Sequence, residues 1–298
     1  MNALPALPVR MRDTNGLYSM IAVDQRDSLR AMLADSGDVP VTDDRMREFK
    51  VEVARALSPA CSALLVDTDF ALQPILDAGA LAPGCDLIVA VDAITYDANG
   101  AALATALRTD LLGTTWGPRV AGLKYLLLWT PQEWLGCDEA EVQEFIDEAS
   151  RTGVESVLEV IVREADGSSP TPERQATLLV EAAQQTAGLG ATLYKTEVPY
   201  WNRAPAQDVT RVSALITGSI ECPWVVLSSG VPAEEFPQAV QRTARGGAEG
   251  FLAGRAVWRK ATALAREDAV NYLANESVAT LAGLREALRA GRAGAVDA

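Results

Sequence analysis

Residues 121–129 read AGLKYLLLW, and two similar runs follow at intervals of 35 residues, SVLEVIV (156–162) and ATLYKTEV (191–198). Each is nearly continuous in Leu, Val and Ile and too short for a helix, which is how parallel strands covered on both faces read. Each also carries a charge where an apolar residue is expected: Lys124, Glu159 and Lys195. Working outward, SMIAVDQR (19–26), CSALLVD (61–67) and DLIVAVDA (86–93) precede these runs, and WVVLSSG (224–230) and AEGFLAG (248–254) follow them. That makes eight strands.

The segments between them carry helix signals. Thr42 precedes DDRMREFKVEVARAL as an N-cap with two acids in the first turn, and Met46, Phe49 and Val53 share one face. The segment DEAEVQEFIDEASRTG ends at Gly153, and Thr171 with Pro172 opens another helix as N-cap and N1. Further helices are expected over 204–217, 232–245 and 277–290. Eight strands alternating with helices predict an α/β protein, a single (β/α)8 TIM barrel spanning 1–298. The turn after the first strand, DQRDSL, contains no glycine and so gives no dinucleotide fingerprint. The stretch 96–118 reads as a long irregular loop at the barrel mouth. The Ala-rich tail 289–298 is expected to fray.

Composition narrows the chemistry. The chain of 298 residues contains no histidine, which removes His triads, His-ligated metals and a His general base. No metal site is expected, and acid-base work falls to carboxylates, lysines, tyrosines or thiols. Only four of its 26 basic residues are lysines, Lys50, Lys124, Lys195 and Lys260. The net charge of −14 and pI near 4.5 repel nucleic acid and anionic lipid surfaces, so neither is an expected partner. Hydrophobic content of 49% and mean hydropathy of +0.07 fit a chain with a large core. Cys61, Cys85, Cys137 and Cys222 lack metal-site or disulfide-scaffold spacing. With no signal-like N-terminus or long apolar run, a cytoplasmic location is expected.

In a barrel, reactions occur at the carboxyl ends of the strands. Asp24, Lys124, Glu159 and Lys195 lie within the first, fourth, fifth and sixth apolar runs. If all four face inward they meet as two cations and two anions. Lys195 then reads either as one half of a structural ion pair or as an amine left partly neutral by desolvation and by the neighbouring cation, hence a nucleophile toward carbonyl carbon. Glu159 reads as its salt-bridge partner or as a proton shuttle, and Asp24 as a lysine anchor or a direct participant. Asp67 and Asp92 at strand ends read best as helix N-caps. Ser228, Ser229 and Gly230 after the seventh strand, with Gly254 and Arg255 after the eighth, suit an anion-binding pair of loops, the alternative being ordinary turn chemistry plus a surface arginine. Gln25 and Arg26 are weaker candidates for a second anion at the far end of a substrate.

The segments AVDQRDSL (22–29), FKVEVARALSPACSALLVD (49–67), LKYLLLW (123–129), LYKTEVP (193–199), WVVLSSGV (224–231) and GFLAGRAVW (250–258) together resemble the class I aldolases of the tagatose-bisphosphate aldolase family, nearest its sulfofructose-phosphate aldolase branch. The resemblance runs from about Tyr18 to Trp258 and follows the family less closely over 96–118 and 200–209. It implies a cofactor-free lyase in which Lys195 forms a Schiff base, Lys124 is the second lysine, Glu159 the acid/base carboxylate and Asp24 an ordering aspartate. It also implies a phosphorylated or sulfonated small-molecule sugar as substrate and a homo-oligomeric state. The products would be dihydroxyacetone phosphate with either sulfolactaldehyde or glyceraldehyde 3-phosphate. Two readings compete: a pyridoxal-phosphate barrel, which would be yellow, and a barrel that binds sugar phosphate without turnover.

Overall fold

A computed structural model gives the structure of residues 10–34, 40–97 and 102–294. The barrel strands are β1 (Tyr18–Ala22), β2 (Ala63–Val66), β3 (Asp86–Ala90), β6 (Val120–Trp129), β7 (Glu155–Val162), β8 (Leu193–Thr196), β9 (Trp224–Val226) and β10 (Gly250–Ala253), with β4 (Asp92–Tyr96) and β5 (Ala102–Leu107) lying outside it. The eight pair in parallel in that order, and β10 closes on β1. The expected eight-stranded α/β barrel is thus the observed one.

Side-chain alternation divides the strands into two layers. Met20, Ala22, Ala63, Leu65, Ile88, Ala90, Val157, Leu193, Val225 and Leu252 fill the interior as one apolar cluster. Their neighbours Ile21, Leu64, Val89, Leu158, Val160, Tyr194 and Phe251 join the larger cluster beneath the helices. With both faces covered, no strand needs a polar face, and the sequence shows none. Met11 is buried below the interior, where a Cβ on Gly122 would lie 3.2 Å from its sulfur. Arg10 anchors this segment, pairing with Asp86 at 2.7 Å.

The helix ends follow local chemistry. Thr42 caps Asp43–Leu57 by accepting from the Arg45 amide, and Thr171 caps Pro172–Thr186 in the same way. Gly153 ends Glu139–Thr152 with a φ of 74°, a backbone region most residues avoid. The later helices run over Ala206–Ser219, Phe236–Arg245 and Val278–Ala293, the last of these extending into the expected frayed tail, whose residues 295–298 lie outside the described ones. Among the described residues no helix is long and apolar enough to cross a membrane.

Two expectations change. The run 86–93 is not one strand: β3 ends at Ala90 and Asp92 begins a separate hairpin. The stretch 96–118 is not wholly irregular, because β4 and β5 pair antiparallel, with Asp92 opposite Leu107 and Tyr96 opposite Ala102. Residues 98–101 of that stretch lie outside the described ones. The alternating ALATAL of β5 pairs locally, which a search for buried parallel strands overlooks.

Candidate active site

Glu159 on β7 and Lys195 on β8 are register partners, and Lys195 follows the interior residue Leu193 by two positions. Both side chains therefore enter the barrel near its carboxyl end. Lys195 Nζ lies 2.8 Å from Glu159 Oε2, and Lys124 Nζ approaches the same oxygen at 2.9 Å. Lys124 also reaches Asp92 Oδ2 at 2.9 Å and Asp24 Oδ2 at 3.5 Å. The two lysines, Glu159 and Asp92 are all buried. The four inward groups read from the sequence do meet, and a fifth, Asp92, joins them.

Asp92 corrects its expected role as a helix cap. It follows the interior residues Ile88 and Ala90 by even steps, so its carboxylate turns inward, and Oδ2 accepts from both Lys124 Nζ and the Leu126 amide. The parity of DLIVAVD already carried that signal. Asp67 is not a helix cap either: it accepts from the Phe70 amide at 2.6 Å, but the next helix, Leu72–Asp77, starts after Ala71, and the other Asp67 oxygen takes the fully buried ammonium of Lys50. Lys50 Nζ also donates to Val23 O at 2.9 Å and Gln25 O at 2.8 Å. It thereby clamps the backbone on either side of Asp24.

The charges settle one another. Burial alone would raise the Glu159 carboxyl, but Lys124 and then Lys195 override it and hold its pKa down to about 2. Burial pushes the Lys124 ammonium down, and Asp92, Glu159 and Asp24 together outweigh that and hold it well above the usual lysine value. Lys124 is therefore a fixed cation beside Lys195.

Ser228, Ser229, Gly230 and Arg255 line one cavity of about 260 Å³, together with Arg259. Gly254 precedes the four-residue helix Arg255–Trp258 rather than lining that cavity. Arg259, four residues after Arg255, was legible from helical spacing but absent from the sequence reading. Gly230 has a φ of 77°, and a Cβ there would fall 2.4 Å from Trp201 Cδ1. Trp201 is held by Glu197, whose Oε1 accepts from its indole Nε1 at 2.9 Å while Oε2 accepts from the Val162 amide at 3.2 Å. Tyr200, Trp201 and Asn202 all have positive φ, 57°, 46° and 66°. Such runs are costly for residues with a Cβ and need surrounding contacts to persist.

The weaker pair, Gln25 and Arg26, sits on the β1 side. Gln25 packs beside the anion loops, its Nε2 3.4 Å from the place a Gly254 Cβ would take. Arg26 donates to Asp92 O at 2.9 Å and lies 3.6 Å from both Asp92 Oδ1 and Asp69 Oδ2.

A closed (β/α)8 barrel with buried lysines and carboxylates gathered at the carboxyl ends of its strands has its reactive groups where barrel enzymes carry out their chemistry. The chain belongs to the DeoC/LacD family of aldolases, whose family model matches residues 18–260. It is 25% identical over 279 residues to a tagatose 1,6-diphosphate aldolase of Lactococcus lactis subsp. lactis, covering 84% of this chain and 82% of that protein. A tagatose 1,6-diphosphate aldolase 2 of Streptococcus mutans serotype c is 26% identical over 282 residues, with the same two shares covered. A solved structure of fructose-bisphosphate aldolase from Slackia heliotrinireducens superposes with a TM-score of 0.64 at 20% identity, covering 95% of this chain and 88% of that one, a likeness of fold.

Proposed function

We propose that this aldolase works through a Schiff base on Lys195 and cleaves a ketose 1-phosphate that carries a second anion at its far end. The observation that carries the reading is the single carboxylate oxygen, Glu159 Oε2, shared by two buried lysines. One ion pair would satisfy Glu159; the second lysine, Lys124, is a fixed positive charge within reach of the same oxygen, placed where the oxyanions of carbonyl addition would form.

The Lys195 amine adds to the ketose C2 carbonyl, and loss of water leaves a protonated imine. A base then takes the proton from the C4 hydroxyl, the C3–C4 bond breaks, and its electron pair moves into the imine to give an enamine while the aldehyde departs. Protonation at C3 and hydrolysis of the imine release dihydroxyacetone phosphate and return the amine. Glu159 shuttles these protons. Its carboxylate is a weak base while two ammonium groups face it, and it strengthens when the neutral carbinolamine replaces one of them. Lys124, held by Asp92 and Asp24, stays charged and steadies the oxyanions of addition and cleavage. The loops carrying Ser228, Ser229, Gly230, Gly254 and Arg255 take the C1 phosphate.

The motif resemblance favours 6-deoxy-6-sulfofructose 1-phosphate as substrate, giving 3-sulfolactaldehyde as the second product. The two curated relatives support tagatose 1,6-bisphosphate instead, giving glyceraldehyde 3-phosphate. A sulfonate carries one charge and a phosphate nearly two, so the two specificity constants separate these substrates. Incubation with dihydroxyacetone phosphate and borohydride should add a covalent mass to Lys195. An unmodified Lys195 in a fully active enzyme would overturn the mechanism.

A further inference from the structure

The ladder between β6 and β7 runs one residue past the end of β7, because the Arg163 amide donates to Trp129 O at 2.9 Å. The alternation of faces runs with it. Val157 belongs to the barrel interior, whereas Leu158, Val160 and Val162 belong to the outer layer. Glu159, Ile161 and Arg163 therefore share the inner face, and Arg163 stands four residues, ~13 Å of strand, beyond Glu159 toward the mouth.

Its guanidinium is half-buried and donates to its neighbour's carbonyl, Val162 O, at 2.9 Å. It forms no ion pair among the described residues. Two other arginines near the mouth are committed to carboxylates, Arg26 to Asp92 and Asp69 and Arg108 to Asp110 and Asp69, while Arg255 and Arg259 line the cavity of the anion loops. The carboxylate whose field Arg163 does feel is Glu197, and both of its oxygens are already taken by Trp201 and the Val162 amide. The remaining donors of this half-buried guanidinium are open to an incoming anion, which would make charge-assisted hydrogen bonds with them.

We infer that Arg163 binds the terminal anion of the ketose, the phosphate or sulfonate that leaves with the three-carbon aldehyde. The inference rests on the aldolase reading above. Lys195 on β8 takes C2, and the loops after β9 and β10 take the C1 phosphate on one side of it. The remaining carbons then run toward the other neighbour of β8, which is β7. Arg163 is the inward cation at the carboxyl end of β7, and a planar guanidinium matches three-oxygen anions bidentately. Arg26 lies on the β1 side, next to β10, and its donors already serve aspartates.

The test compares the parental chain with Arg163→Met and Arg163→Lys. Arg163→Met should be trapped on Lys195 by dihydroxyacetone phosphate and borohydride at the parental rate, because that ligand lacks the far end. Its KM for a ketose 1,6-bisphosphate should rise roughly 10- to 100-fold, while kcat/KM for a ketose 1-phosphate without a C6 anion stays unchanged. Arg163→Lys should recover part of the loss. A parental KM for the bisphosphate in Arg163→Met, or equal losses on both substrates, overturns the inference and marks a structural arginine. Failure of the parental chain itself to be trapped overturns the Schiff-base reading, and this one with it.

Discussion

Lys195 and Glu159 face each other across a single rung of the β7–β8 ladder, with Nζ 2.8 Å from Oε2. A rung fixes both Cα positions, so the contact between amine and carboxylate is set by backbone hydrogen bonds rather than by a loop. Glu159→Gln keeps the shape and removes the carboxylate proposed as the base. Turnover should fall by about 10²- to 10⁴-fold while borohydride still traps dihydroxyacetone phosphate, more slowly. Trapping and turnover measured side by side check this, and a variant that turns over at the parental rate rules out Glu159 as the shuttle.

The same residue predicts an acid limb. The folded Glu159 pKa of about 2 lies below the ordinary carboxyl value of 4.5, so its contribution to stability is complete above pH 4.5 and is lost as pH falls toward 2. Urea midpoints over that window should drop less steeply for Glu159→Gln than for the parental chain. Identical slopes would show that the two lysines do not stabilise the ionised form.

Glu155, at the opposite end of β7, behaves in the reverse sense. Burial raises its carboxyl to about 7 against the pull of Arg12 and Arg10. A carboxyl with a raised folded pKa binds more protons in the native state, so stability is full below pH 4.5 and declines as pH rises through 7. Glu155→Gln should flatten that decline and raise the thermal midpoint at pH 8, leaving it unchanged at pH 4.

Lys50 and Asp67 form a pair with no exposure on either side chain. Removing one partner leaves a buried, unpaired charge, so Lys50→Met should cost about 3–5 kcal/mol in urea denaturation. The double change Lys50→Met with Asp67→Leu should recover most of it, since apolar replacements of a whole buried pair are well tolerated. A double variant no better than the single one would mean that the contacts from Lys50 to Val23 O and Gln25 O matter more than the charge.

Gly230→Ala places a methyl group against the Trp201 ring at a positive φ. The loop must shift or strain, at about 1–3 kcal/mol. The KM for substrate should rise, and adding Trp201→Ala to relieve the clash should lower it again. Parental kinetics for Gly230→Ala would show that the loop tolerates the contact.

Much of this is legible in the sequence. The eight apolar runs, the capping residues Thr42 and Thr171 and the inward set of Asp24, Lys124, Glu159 and Lys195 are all local patterns. The hairpin of β4 and β5 was missed because its alternating residues belong to a different kind of strand. Asp92 was misread because a carboxylate at a strand end has the same local signature whether it caps a helix or turns into a barrel.

Sequence alone determined the eight barrel strands, the capping residues Thr42, Gly153 and Thr171 and the parity of the charged residues along each strand, because alternation and capping depend on neighbours a few residues apart. Tertiary structure alone decided which charges meet: Lys124 with Asp92 and Asp24, 32 and 100 residues distant, Lys50 with Asp67, and Arg163 with none among the described residues. Coulomb energy depends on separation in space, and for residues so far apart along the chain that separation exists only once the barrel has closed.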